Sequence, residues 1–423
     1  MKSILEKGLD FKSTLEKAKS GDASAQYVIG RMYYSGIQVE KNLDEAVKWH
    51  ILSSDQGLAS AQNDLGVIYQ SGDLGDPDFE KAFELYKKSS DSDYAEAFHN
   101  LAVLYETGQG VDKDYDLAVK FYTMACDAGI AASQNNLGLM YEKGIGLDKD
   151  IKKAVELYKL SVEQNYYPAN NNLALLYTVG NGVDIDYKKA HHLHLSAAKN
   201  GVSESQNNLG VLYDEGVGCQ IDRSKSAKWY MLAAEQGNIQ AQFNLAVLYE
   251  NGTGIAKDYK KAADLYSICA EKGNALAQNN LGNLYKNGDG VEKNIEKAYE
   301  LYSKSAKRGN MFGQNNLGKL YEDGEGVTQD YLEAIKLYTK SAEQGFSNAQ
   351  FNLAHMYFKG AGVEKNIYLS YFFILISSYQ KNKQASLMLK EIKWDVYLSD
   401  ELIEKAKSDS KKMFEKHNSK NVK

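Results

Sequence analysis

The sequence predicts an all-α solenoid of ten helix–turn–helix repeats, and three observations predict it. Tyr recurs every 36 residues, at Tyr33, Tyr69, Tyr105, Tyr141, Tyr177, Tyr213, Tyr249, Tyr285, Tyr321 and Tyr357, without one insertion or deletion. Four residues before each Tyr stands Ile or Leu, from Ile29 and Leu65 to Leu353, followed at once by Gly or Ala. Three residues after each Tyr stands Gly, from Gly36 to Gly360. A stack of such units is one continuous body, so a domain count taken from chain length does not apply.

The elements follow in order. Residues 10–21 match a second helix and its closing glycine, so residues 1–21 form an N-terminal capping half repeat. Residues 22–381 hold the ten repeats. In each, the first helix carries one apolar stripe, as Leu137, Met140 and Tyr141 do, and the small residue at Gly138 admits a close neighbour. Gly144 suits the left-handed conformation that ends a helix. A Gly-x-Gly-Val style turn leads to Asp or Asn in every copy, from Asn42 and Asp78 to Asn366. Those residue types cap a helix N-terminus by accepting bonds from its free N–H groups. The second helix then carries an aromatic column, Tyr86, Tyr122, Tyr158, His194, Tyr230, Tyr266, Tyr302 and Tyr338, and closes in most copies at Gly. Residues 382–423 form C-terminal capping helices and a basic tail, with residues 383–392 starting an eleventh first helix that has Lys393 where Tyr is due. The apolar run from Tyr368 to Ile376 is about half of the ~20 residues that a membrane span needs.

The block Ala-x-x-x-Leu-Gly-x-x-Tyr-x-x-Gly-x-Gly-Val-x-x-Asp-x-x-Lys-Ala-x-x-Leu-Tyr runs nearly intact from Ala277 to Tyr302, with Asn294 for Asp. It recurs from Ser133 to Tyr158, with Ser133 for Ala and Leu147 for Val. These residues resemble the Sel-one-like repeat family, a branch of the tetratricopeptide superfamily. The resemblance implies a right-handed superhelix whose first helices line a concave face. It also implies adaptor or scaffold roles in signalling or membrane-protein quality control. Some secreted relatives with a disulfide in each repeat are reported to bind or cleave penicillin-like compounds. This chain lacks the paired cysteines, and its Gly72-Asp-Leu-Gly-Asp-Pro-Asp segment departs from the usual turn.

If the family geometry holds, a second helical stripe faces the groove. It contains an aliphatic strip, Val67, Val103, Leu139, Leu175, Val211 and Val247, which turns polar after the seventh repeat. It contains an acidic rail, Glu106, Glu142, Asp214 and Glu250, favouring basic ligands. Two Asn positions flank it: Asn135, Asn171 and Asn207 in one column, and Asn100, Asn136, Asn172, Asn208, Asn244, Asn280, Asn316 and Asn352 in the next. Two readings of the Asn rows stay open. They form a donor–acceptor ladder that grips the backbone of an extended peptide, or they bond the neighbouring repeat and the turn.

The expected activity is therefore protein-interaction scaffolding, with a protein or peptide segment bound along the groove, and not catalysis. Basic and acidic residues number 50 and 56, and no basic stripe tracks a phosphate backbone, so nucleic acid is not an expected partner. Three cysteines, Cys126, Cys219 and Cys269, an odd number with no two in one repeat, fit a reducing compartment. No apolar leader or span interrupts the chain, so a monomeric cytoplasmic protein is expected, with delivery into another cell left open. No cofactor or metal is expected. His191 and His194 occupy apolar and aromatic columns, which reads as altered core and not as a ligand pair. Ser196-Ala-Ala-Lys199 matches a penicillin-enzyme motif whose partner motifs are missing. Two alternatives remain: an amide- or β-lactam-hydrolysing enzyme, and a regulatory subunit of a membrane-protein quality-control complex.

Overall fold

The computed structural model describes residues 10–420, and these form helices and turns with no strand among the described residues. The capping helix Phe11–Lys19 comes first, with Asp10 accepting from the Ser13 N–H and Gly21 closing it at φ 98°. Ten helix pairs follow, from Ala23–Ser35 with Leu43–Ser54 to Ser347–Lys359 with Ile367–Tyr379. The helix Lys383–Glu391 takes the first-helix place of an eleventh unit, and Asp400–Lys420 packs on Ile367–Tyr379. The apolar run of that last second helix is thereby covered, with Tyr371, Ile374, Leu375 and Ile376 buried. No described helix is long and apolar enough to cross a membrane.

Local chemistry explains the pairs. The Asp or Asn before each second helix accepts from the N–H three residues on, in all ten copies: Asn42 from Glu45, Asp114 from Leu117, Asp150 from Lys153, and so on to Asn366 from Leu369. Each such cap is worth about 1 kcal/mol. The second turn glycine is there for space as much as for its positive φ. A Cβ at Gly110 would run into the Phe79 carbonyl, at the start of the preceding repeat's second helix. The unusual segment after Gly72 rejoins the pattern by Asp78, whose N–H donates to the Tyr69 carbonyl as Asp114 does to Tyr105.

Repeat four shows the packing. Leu137, Met140, Ala154, Tyr158 and Ser161 are buried, and Gly138 leaves room for the Tyr158 ring, 2.9 Å from where its Cβ would lie. Ser161 Oγ donates to the Ala131 carbonyl at 2.8 Å, tying the second helix to the start of the first. The same bond joins Ser89 to Ala59 and Ser305 to Ala275, and Cys269 Sγ takes the place in repeat seven, 3.5 Å from the Ile239 carbonyl. Burial pushes the Cys126 thiol up to about 12 and that of Cys269 to about 11, so both stay protonated and unreactive.

The sequence reading treats the stack as one continuous body. By contacts the chain groups into two compact units, with the boundary within the sixth first helix, Ser203–Glu215. One unit runs to Ser205 and includes Val217–Cys219. The other comprises Gln206–Gly216 and Gln220 onwards. Each has its own string of cores between successive helix pairs.

Candidate functional site: the first-helix face

The aliphatic strip lies on the first helices, two residues after the buried Ile or Leu. In the N-terminal unit Val67 and Leu175 are 40% and 43% exposed, and Val103 and Leu139 between them are half-buried. In the C-terminal unit Val211 and Val247 are half-buried and pack against the core beneath. The register then turns polar, as expected. Asn283 accepts from the Tyr302 hydroxyl at 2.7 Å, and Lys319 pairs with Glu322 and Asp323 at 3.3 and 3.1 Å.

The acidic rail is anchored from below. Tyr122, Tyr158 and Tyr266, all fully buried, pass their hydroxyls up between the helices and donate to Glu106, Glu142 and Glu250 at 2.6, 2.7 and 2.6 Å. Burial first, and then the neighbouring carboxylate, raises each phenol pKa. Each therefore stays a donor and fixes one carboxylate oxygen on the face. Asp214 differs: it pairs with Arg223 at 3.1 Å.

The Asn rows hold repeats together. Asn135, Asn171 and Asn207 are 7%, 9% and 8% exposed, so they lie between repeats and not on the open face. The side-chain amide of Asn172 donates to Asn135 Oδ1 at 2.9 Å, and that of Asn244 to Asn207 at 3.1 Å. Asn100 to Asn63, Asn316 to Asn279 and Asn352 to Asn315 repeat the bond at 2.8, 2.9 and 2.9 Å. Where His99 or Phe243 stands in the lower row, the next Asn turns to the phenol instead. Asn136 donates to Tyr122 and Asn280 to Tyr266, each at 3.1 Å. Of the two readings open in the sequence, bonding of the neighbouring repeat is the one seen in these contacts. The physical reason is burial: an amide inside the stack must find its partners there. Asn208, half-buried, sits at the same register.

Sequence reasoning missed a pocket at the first two repeats. Its signals were two broken columns, Asp64 where the upper row has Asn and His50 where the aromatic column has Tyr. The inter-repeat rung here is charged: the Tyr27 hydroxyl donates to Asp64 Oδ2 at 3.1 Å, and Arg31 Nε lies 3.7 Å from the same oxygen. His50 is 1% exposed, and its Nδ1 has no hydrogen-bond partner. Elsewhere, His194 is buried 3.4 Å from Ser205 Oγ, and no group of three or more His, Cys, Asp or Glu among the described residues is placed to hold a metal ion.

The Sel1 repeat family model matches ten times: residues 23–58, 59–94, 95–130, 131–166, 168–202, 203–238, 239–274, 275–310, 312–346 and 347–382. The chain belongs to the Sel1 repeat family. Among solved structures it is similar to c5321, a protective antigen present in uropathogenic Escherichia coli strains that displays an SLR fold. That likeness has 29% identity and a TM-score of 0.63, covering 97% of this chain and 95% of that one. A Sel1 repeat protein from Oxalobacter formigenes is 31% identical with a TM-score of 0.51, over 58% of this chain and 96% of that one. A putative sel1-like repeat-containing protein, L18, of Acanthamoeba polyphaga mimivirus is 54% identical over 39 residues, which span 9% of this chain and 7% of that protein. The all-α repeat solenoid is thus shared across Sel1 repeat proteins, and chains of this kind generally mediate protein–protein interaction.

Proposed function

We propose that this Sel1 repeat protein is a non-catalytic scaffold that holds a segment of a partner protein along the first-helix face of its N-terminal unit. The observation that carries the reading is the strip Val67, Val103, Leu139 and Leu175, kept in one register by four successive repeats and exposed at both ends. Exposed apolar side chains in a row, rimmed by polar groups, mark interaction surfaces. Glu106 and Glu142 stand beside the strip, each with one oxygen fixed by a buried Tyr. Fixed carboxylates complement basic side chains, so the segment carries apolar residues interleaved with Lys or Arg. The half-buried Asn100, Asn136 and Asn172 edge the same face, while Asn135 and Asn171 set the spacing of the repeats beneath. Val211, Val247, Asp214, Glu250 and Asn208, Asn244, Asn280, Asn316 and Asn352 give the C-terminal unit a related but more polar face, with Asn207 buried beneath it.

A displayed random-peptide library tests this. Recovered peptides should combine apolar and basic residues and lose at least tenfold in affinity for Leu139→Asp. Leu160→Asp, a change at a 48% exposed position on the second helix of the same repeat, should leave binding intact. Equal binding to both variants would remove the face from consideration.

A further inference from the structure

The pocket of the first two repeats lies where the aromatic column carries His50 and the upper Asn row carries Asp64. In repeats two, three, four, seven and nine a phenol in the aromatic column reaches a Gln or Glu on the face, as Tyr86 reaches Gln70 at 2.6 Å. At that register repeat one has His50, which is shorter and carries no hydroxyl. The space left is about 160 Å³, lined by Arg31, Tyr34, His50, Asp64, Val67 and Ile68 among others. That is roughly five water volumes, enough for a small polar group and its first methylene.

Arg31 and Asp64 both line this pocket, and what Arg31 leaves over is donor capacity. Arg31 brings five N–H groups. Its Nη1 donates to the Tyr27 hydroxyl at a long 3.3 Å, and its Nε lies 3.7 Å from Asp64. Charge-assisted contacts close to about 2.7–2.9 Å when the geometry allows, so neither contact saturates the guanidinium. Asp64 is better served: Tyr27 donates to Oδ2 at 3.1 Å and Asn63 to Oδ1 at 3.4 Å. Tyr34 turns its hydroxyl outward to Asp73 at 3.0 Å, and Lys41 lies 5.6 Å over the Tyr34 ring at the rim. His50 is held neutral, lowered to about 4 by burial and by the charge of Arg31, so it brings no second cation. The guanidinium, beside the apolar walls of Val67 and Ile68, offers paired N–H donors to a small planar carboxylate, against the opposing charge of Asp64, whose carboxyl burial pushes up.

We propose that this pocket binds a carboxylate, seated on the Arg31 guanidinium, and that it anchors an acidic group of the partner segment. Only the source of that acid rests on the scaffold reading; the pocket's chemistry is tested on its own. Two sources share the chemistry, a peptide C-terminus and an Asp or Glu side chain.

The probes are N-acetylglycine for the C-terminus, the α-amide of N-acetylaspartic acid for the side chain, and neutral N-acetylglycinamide. Each is titrated against the full chain by ligand-observed NMR. At least one acid should bind saturably and at least tenfold more tightly than the neutral amide, and the stronger acid names the source. His50→Tyr introduces the residue that most other repeats carry at this register and fills the space, so it should weaken acid binding at least tenfold. Arg31→Gln should do the same; if circular dichroism shows that variant unfolded, His50→Tyr decides alone. Leu139→Asp should leave acid binding unchanged, so that a failure of the scaffold face and a failure of the pocket are read separately. Equal binding of acid and amide, or undiminished acid binding by His50→Tyr, would overturn the proposal.

Discussion

Repeat four and repeat one have the same register and different contents. In repeat four the buried Tyr158 hydroxyl meets Glu142, and an Asn135–Asn172 rung ties the repeat to the next. In repeat one His50 reaches no hydrogen-bond partner through Nδ1, and the rung is Tyr27 to Asp64, with Arg31 alongside. Caps, the helix-ending glycine and the buried Ala column are the same in both: Asn42 and Asp150 cap, Gly36 and Gly144 end the first helix, and Ala46 and Ala154 are 0% exposed, whereas the second turn glycine, Gly146, is replaced by Gln38 in repeat one. The fold therefore depends on the capping and small-residue positions. The aromatic column and the rung are free to change, and in the first two repeats, where both change, a pocket opens.

Three measurements would break or sharpen that contrast. The largest effect belongs to the filled column. Tyr158→Ala should cost ~3–5 kcal/mol in urea unfolding, whereas His50→Ala, a smaller truncation beside existing space, should cost about 2. Equal losses would mean that repeat one is packed as tightly as repeat four. The second effect is acid sensitivity. The folded pKa of His50, and that of His194, is lowered to about 4, chiefly by burial, against an ordinary value of 6.5. The unfolded chain then binds more protons than the folded one between those values. The neutral-His contribution is whole above pH 6.5 and declines as the pH falls towards 4, by at most ~3 kcal/mol for each His. His50→Tyr should blunt that decline measurably between pH 7 and 4.5; an unchanged slope would place the sensitivity elsewhere. The smallest effect is at the rung. Asn172→Ala leaves the buried Asn135 carbonyl without its donor and should cost about 2 kcal/mol. Tyr27→Phe should cost less, about 1 kcal/mol, because Asp64 keeps Arg31 close by.

The repeat architecture was legible because its determinants are local. A cap such as Asp150 and a helix-ending glycine such as Gly144 declare themselves by type and spacing alone. What the Asn rows do was not legible, since a bond from Asn172 to Asn135 joins residues 37 apart whose meeting depends on how repeats stack. The carboxylates were read as face residues and the phenols holding them only as core. A Tyr can be both when its ring is buried and its hydroxyl emerges on the far side. The pocket was legible only as two departures, Asp64 and His50, whose convergence needs coordinates. Where the single stacked body divides, within Ser203–Glu215, had no sequence signal, because the 36-residue period runs through it unbroken.

The meeting of Gly110 with the Phe79 carbonyl has a consequence for how such a chain can change over time. In repeats three to ten the second turn glycine packs against the start of the preceding repeat's second helix, so one extra residue there has nowhere to go. Growth or shrinkage by single codons is blocked, while gain or loss of a whole module leaves every brace intact. The length of the stack is thus quantised, and diversity is pushed into side chains at fixed registers, as His50 and Asp64 already illustrate.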